Sequence, residues 1–209
     1  MMRLEVRVAP ETPSTTGELP AVALVGSGTF EIAGDADKTI SGSNPGFTGK
    51  TVLCGGVNVV ENPGFFGKSQ SSDHTVTTTI QVKEGAELHV PRALEGRNIV
   101  LGGSGTDGTG ALKLTGSGNM YWGCTGIELT SDTVITGLVS MGNYYFGILR
   151  WSTYRATVDM NGHKLTKAGN GRFLLQGGDV VNPGEIEIIV SSINVLNKSV
   201  TPPFTIEEN

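Results

Sequence analysis

Charge is scarce in this sequence. Asp, Glu, Lys and Arg make up 17% of the 209 residues, against about 25% in ordinary soluble domains. The balance is acidic, with 15 Lys and Arg against 20 Asp and Glu and a formal net charge of −5. No basic stripe is present, which argues against a nucleic-acid partner, because binding requires cations that displace the counterions of the phosphates. Cysteine is nearly absent. Cys54 and Cys124 are too few for a disulfide framework and too far apart for a zinc ribbon, so they read as small buried apolar side chains. No stretch approaches the roughly 18 apolar residues of a membrane helix, and residues 1–17 lack the basic start and apolar run of a signal peptide. His74, His89 and His163 show no metal-ligand spacing, and no Gly-x-Ser-x-Gly nucleophile turn exists, so neither a metal nor a cofactor is expected.

Helical periodicity is missing as well. Two-residue alternation recurs instead, as in Leu4, Val6 and Val8 against Arg3, Glu5 and Arg7, and such alternation marks half-buried strands. Runs rich in Val, Ile, Leu and Thr at 51–60, 75–82, 98–101, 126–139, 157–165 and 185–196 are bounded by Gly, Asn or Asp and are read as strands. Only Pro91 to Gly96 is expected to hold a helical turn. Glycine is abundant, at 31 residues, without the every-third-residue period of collagen. Low net charge and 37% apolar content predict a folded chain with glycine at its bends.

A nonapeptide, Gly-x-Gly-x-Φ-x-Φ-x-Gly with Φ a large apolar residue, occurs three times. The copies are Gly26-Ser-Gly28-Thr-Phe30-Glu-Ile32-Ala-Gly34, Gly108-Thr-Gly110-Ala-Leu112-Lys-Leu114-Thr-Gly116 and Gly169-Asn-Gly171-Arg-Phe173-Leu-Leu175-Gln-Gly177. Their starts lie 82 and 61 residues apart, near multiples of about 20, a plausible length for one turn of a solenoid. The expectation is therefore an all-β fold, a single parallel β-solenoid of roughly eight turns, with a β-sandwich as the alternative. Residues 1–25 are expected to form an N-terminal strand, cap and connector, residues 26–196 the solenoid, and residues 197–209 a departing tail.

The nonapeptides resemble the Gly-Thr-Gly-Thr-Leu-x-Leu-x-Gly element of passenger-associated repeats in bacterial autotransporter proteins. Asn119-Met-Tyr121-Trp-Gly123-Cys-Thr125 after the second copy matches the Asn-x-Tyr-x-Gly-x-Thr continuation of that family. Asn44-Pro-Gly-Phe47-Thr-Gly49-Lys-Thr51 after the first is one residue longer, and the third copy lacks it. Asp159-Met-Asn161-Gly162-His163-Lys-Leu165-Thr166 is similar to a further strand of the same proteins. The resemblance implies a single-stranded right-handed parallel β-helix displayed on, or released from, the surface of a Gram-negative bacterium. Neither an export signal nor a carboxy-terminal membrane barrel is found in these residues.

Several chemical motifs fail on context. Gly49-Lys50-Thr51 and Gly67-Lys68-Ser69 end like phosphate loops, but Asn44 and Asn62 stand where the first glycine is required. Gly103-Ser-Gly105-Thr-Asp-Gly108 spells a dinucleotide fingerprint without a following helix. Gly102 to Thr109 approaches a calcium repeat, yet occurs once and has Thr109 in its apolar place, so it reads as a flexible glycine loop. A polysaccharide lyase or hydrolase is the alternative activity. It would need clustered carboxylates, for which Asp35 with Asp37 and Glu84 with Glu87 are the candidates, and both pairs are expected on solvated turns. The candidate ligand-binding residues are aromatic: Tyr121, Trp122, Tyr144, Tyr145, Trp151 and Tyr154, which with Phe146 crowd seven of thirteen aromatics into 121–154. Exposed on one flank they would offer a platform to a glycan or a host-surface protein, and otherwise they stack inside the coil or cap its open end, where apolar edges must be covered. The functional expectation is a non-catalytic adhesin or passenger-like display rod.

Overall fold

The computed structural model describes residues 4–6, 17–18, 22–68, 78–91, 94, 96–115, 126–137, 145–148, 157–169, 172–175, 179–189, 193–195 and 204–207. In chain order its strands are β1 (Leu4–Val6), β2 (Gly17–Glu18), β3 (Thr29–Ile32), β4 (Lys38–Ile40), β5 (Lys50–Leu53), β6 (Gly56–Val60), β7 (Thr78–Val82), β8 (Ala86–Val90) and β9 (Arg97–Gly103). They continue with β10 (Leu112–Leu114), β11 (Gly126–Gly137), β12 (Tyr145–Ile148), β13 (Thr157–Asp159), β14 (Leu165–Ala168), β15 (Arg172–Leu175), β16 (Asp179–Val181), β17 (Ile186–Ile189), β18 (Ile193–Val195) and β19 (Phe204–Glu207). The fold is all-β, and every strand pairing among the described residues is parallel. The sheets of a β-sandwich are antiparallel, so the sandwich alternative is not what the chain adopts.

Strands alternate between two stacked series. One runs β1, β3, β5, β7, β9, β11, β13, β16, and the other β2, β4, β6, β8, β10, β11, β14, β17, β19. The long strand β11 belongs to both: Gly126 to Glu128 pair with β13, and Thr133 to Thr136 pair with β14, across a register shift between Leu129 and Thr133. That shared strand joins the series into one curled sixteen-stranded sheet. A second, three-stranded sheet has the order β12, β15, β18.

Alternation explains why both series fill one interior. In the first, Phe30, Thr51, Ile80, Ile99, Ile127 and Val158 stand in register, and beside them Ile32, Leu53, Val82, Leu101 and Leu129. In the second, Lys38, Asn58, Leu88, Leu112, Ile135, Lys167 and Ile188 form the inward column. Ile80, Leu88, Ile99 and Leu112 are fully buried, and each such side chain contributes about 1.5–3 kcal/mol. Beyond β6 a single turn of 3-10 helix, Pro63–Phe66, closes the interior with Phe65 and Phe66. Their rings meet edge-on at 5.6 Å, and Phe65 lies 6.1 Å from Phe30.

Several expectations need correction. A turn of 3-10 helix that the sequence did not suggest lies at Pro63–Phe66, because Asn62 accepts a hydrogen bond from Gly64 N and proline suits a first helical position, while residues 92, 93 and 95 of the expected turn lie outside the described residues. The runs 51–60 and 157–165 are each broken into two strands at a corner, and 185–196 holds two strands that belong to different sheets, β17 and β18. The layer length is uneven, from 18 residues between Ile188 and Ile206 to 32 between Ile135 and Lys167. As a result the three nonapeptides are not stacked: Phe30 lies in the first series, Leu112 in the second and Phe173 in the three-stranded sheet. The tail expected after residue 196 carries β19, which pairs with β17.

Layers approach closely at Gly49, where an added methyl group would overlap the carbonyl oxygen of Gly28 and the Phe47 ring. Gly49→Ala should lower stability by about 1–3 kcal/mol, the usual cost of overpacking, read as a reduced urea midpoint. An unchanged midpoint would mean that the layers have room to part here.

Candidate functional site

Strand β8 turns Ala86, Leu88 and Val90 inward, which leaves Glu87 and His89 on the outer face of the second series. A carboxylate there would ordinarily be hydrated. Here it is covered, because the chain between β9 and β10 folds back as a strap, Ser104 to Gly110, closed by a hydrogen bond from Gly110 N to Ser104 O of 2.8 Å. The Glu87 side chain is 1% exposed.

Four donors converge on it. Thr106 gives its backbone N–H at 2.9 Å and its hydroxyl at 2.6 Å to Oε1. On Oε2, His89 Nε2 lies at 2.8 Å and Lys113 Nζ at 3.3 Å. Lys113 reaches it because β10 stacks on β8 with Lys113 directly opposite His89. Burial pushes the Glu87 carboxyl up, but the Thr106 hydroxyl, His89, the Thr106 amide and the Lys113 charge together outweigh it and hold the group below the usual carboxylate range. The strap is also tied at Thr109, whose carbonyl accepts from the Thr136 hydroxyl. Asp107 Oδ1 accepts from Thr109 N at 2.9 Å, and bonds from the Thr109 hydroxyl and amide bring the exposed Asp107 down to about 2.

An ionised carboxylate offers about four acceptor sites, and in Glu87 four donors occupy them. The arrangement works as a clamp between strap and sheet. The expectation that Glu84 and Glu87 both sit solvated on turns is thus corrected for Glu87. Glu84 is exposed, whereas Glu87 lies two residues beyond the corner, under the strap. The stretch Gly102 to Thr109, read as a flexible glycine loop, is pinned through Thr106 and Thr109. Asp35 and Asp37 are exposed at their corner, where Asp37 Oδ1 accepts from Val57 N at 3.1 Å.

Two lysines face inward. Lys38 Nζ donates to the carbonyls of Ala36 at 2.6 Å and Gly34 at 2.7 Å, with Gly55 O at 3.4 Å. Burial lowers its pKa, while Asp35, Asp37 and Cys54 pull it back. Lys167, between Ile135 and Ile188, has the carbonyls of Ala168 and Gly169 at 2.7 and 3.1 Å, and burial alone brings its pKa down to about 8. A separate outer cluster places Lys164 Nζ 3.3 Å from Glu185 and 3.1 Å from Glu187. These groups are open to water, where such pairs add little to stability.

Of the aromatic candidates, Tyr121, Trp122, Tyr144, Trp151 and Tyr154 lie outside the described residues, and Tyr145 opens β12, opposite Arg172. Among the described residues no helix is long and apolar enough to cross a membrane. The sequence reading missed the clamp of Glu87, His89 and Lys113. The outward alternation of Glu87 and His89 was visible, but which cation stacks on them depends on register.

No family model matches the chain. Short stretches are similar to aspartate–tRNA ligases: 81% identity over 26 residues with that of Phocaeicola vulgatus, covering 12% of this chain and 4% of the ligase, and 69% over 26 residues with that of Bacteroides fragilis. The ligase of Bacteroides thetaiotaomicron is 50% identical over 46 residues, 22% of this chain and 8% of the ligase. The chain thus spans less than a tenth of the length of these curated relatives. No solved structure matches it.

Proposed function

We propose that the chain is a right-handed parallel β-solenoid segment that acts as a non-catalytic display rod, on the surface of a Gram-negative bacterium or released from it, in the manner of autotransporter passengers. The observation that carries this reading is the register of the two series, in which equivalent strands pair in parallel layer after layer. A stack of that kind holds its corners and straps about 4.8 Å apart per layer and gains stability from each neighbour. Residues 26–196 form the body of the rod, 1–25 and 197–209 its two ends. The filled acceptor sites of Glu87 support a structural role for that carboxylate, since it has no free lone pair for a substrate proton.

The partner is a glycan or a host-surface protein, engaged through the aromatic run of 121–154. Fractionation of the source bacterium, followed by protease treatment of intact cells, tests the location: the antigen should be found in the outer-membrane fraction or the medium and be cut from outside, and a protected cytoplasmic antigen overturns the proposal. For binding, Trp122→Ala or Trp151→Ala should abolish saturable glycan binding measured on a glycan array. Release of oligosaccharides from an acidic polysaccharide would favour the lyase or hydrolase instead.

A further inference from the structure

Asn161-Gly162 forms the corner between β13 and β14. Both residues have positive φ, 47° and 76°, and His163 N closes the turn on Met160 O at 2.7 Å. Both are exposed to water. An asparagine followed by glycine is the sequence in which self-modification meets least steric resistance, because glycine has no side chain to obstruct ring closure. The Gly162 backbone nitrogen attacks Asn161 Cγ, the Cγ–Nδ2 bond breaks, and ammonia leaves with the proton of that nitrogen. Water then opens the succinimide at either carbonyl, giving aspartate or, with an extra methylene in the backbone, isoaspartate at position 161.

In this corner both reacting groups are held by other layers. The Gly162 N–H donates to Asn182 O at 2.8 Å, which occupies the nucleophile. The leaving amide Nδ2 of Asn161 donates to Leu129 O at 2.8 Å, in the layer on the other side. The stack is tightened where Gly184 packs against Gly162 and His163 so closely that an added methyl group would overlap both, and Asn182 Nδ2 ties to Asp159 Oδ1 at 3.0 Å.

We propose that Asn161-Gly162 is a latent deamidation site, kept unreactive by the layers stacked on either side and released when the layer carrying Asn182 and Gly184 lifts away. Reaction then requires local opening, so its rate is the open-chain rate multiplied by the open fraction. An isoaspartate at this corner would lengthen the backbone where three layers are in register and make the opening permanent. For a protein displayed outside the cell, this would set a lifetime.

The test is peptide mapping for a gain of about 1 Da and for isoaspartate at position 161, with ammonia release, during incubation at mildly alkaline pH. The full chain in buffer should convert at least about tenfold more slowly than a synthetic peptide of residues 157–168, as an opening equilibrium demands. Equal rates, or no conversion of the peptide, overturn the proposal. Gly184→Ala, which leaves Asn161 untouched, should accelerate conversion while the circular dichroism spectrum remains that of the folded chain, and an unchanged rate in the folded variant removes the gating role of this layer. If Gly184→Ala does not fold, the wild-type rate in graded urea decides: a rise below the global unfolding midpoint supports local gating, and a rise only at that midpoint overturns it.

Discussion

Glu87→Ala is expected to lower stability by about 3–5 kcal/mol, the range for breaking one side of a buried ion pair. It strands His89 and Lys113 beside each other and leaves the Thr106 N–H and hydroxyl without their acceptor. The lower end of the range is the better expectation, since an opened strap lets water reach the freed groups. Glu87→Gln keeps an acceptor for Thr106 but removes the charge that holds Lys113, so it should fall between wild type and Glu87→Ala.

The pH dependence has a defined sign. The folded-state pKa of Glu87 is held below its unfolded value, so its contribution is fully present above the ordinary glutamate pKa of about 4.3 and is lost as pH falls through the folded value. Wild type should lose urea resistance in acid more steeply than Glu87→Gln, because only the wild type has this proton to take up. Hydrogen exchange of the 104–110 amides should rise in the same acid window. Parallel acid limbs for the two proteins would show that Glu87 does not clamp the strap.

Lys167→Leu should act in the opposite direction. The lysine sits in an inward column between Ile135 and Ile188, 3% exposed, where it donates to the backbone carbonyls of Ala168 and Gly169. Burial brings its pKa down to about 8, so the folded state disfavours the ammonium. Below pH 8 the whole penalty applies. Between the folded value and the unfolded value of about 10.4 the unfolded chain binds more protons, and stability rises with pH until the penalty is gone. At about 1.36 kcal/mol per unit, the penalty is roughly 3 kcal/mol at neutral pH. Replacing the lysine by leucine fills the column with aliphatic surface, and the half-exposed carbonyls of Ala168 and Gly169 turn to water. A stabilisation of about 1–4 kcal/mol is expected, in line with exchange of buried ions for hydrophobic residues, seen as a raised Tm at pH 7 and a smaller difference at pH 10. A lower Tm at pH 7 would mean that the lysine's hydrogen bonds hold the Ala168–Gly169 corner together.

The sequence announced its strands through alternation. The inward residues of β7, Ile80 and Val82, fall in the run 75–82 read as a strand, and both are buried. Alternation reads 157–165 as one strand, but the Asn161-Gly162 pair inside it is the local signal for the corner, because a turn with two positive φ values has few residue choices. Other features were not legible. Glu87 follows Glu84 and Gly85, which mark a real corner, and by local rules a glutamate next to a corner is solvated. Its cover comes from Thr106 and Lys113, residues of other strands and loops. Lys167 alternates inward within Leu165-Thr166-Lys167, a position local rules assign to an apolar residue, and only its neighbours Ile135 and Ile188 reveal the cost.

The three nonapeptides mark the same boundary. Each makes a strand, as its apolar pair and flanking glycines require, yet the three copies end in three different parts of the fold. What the sequence by itself determined was therefore local: which residues extend, which face each takes, and where the chain turns, all set by backbone sterics and alternation within a few residues. The tertiary structure alone decided which strand lies against which, and with it the clamp on Glu87, the burial of Lys167 and the protection of Asn161. Register between layers follows from loops of unequal length and from the burial of whole columns at once, and both are properties of the assembled stack.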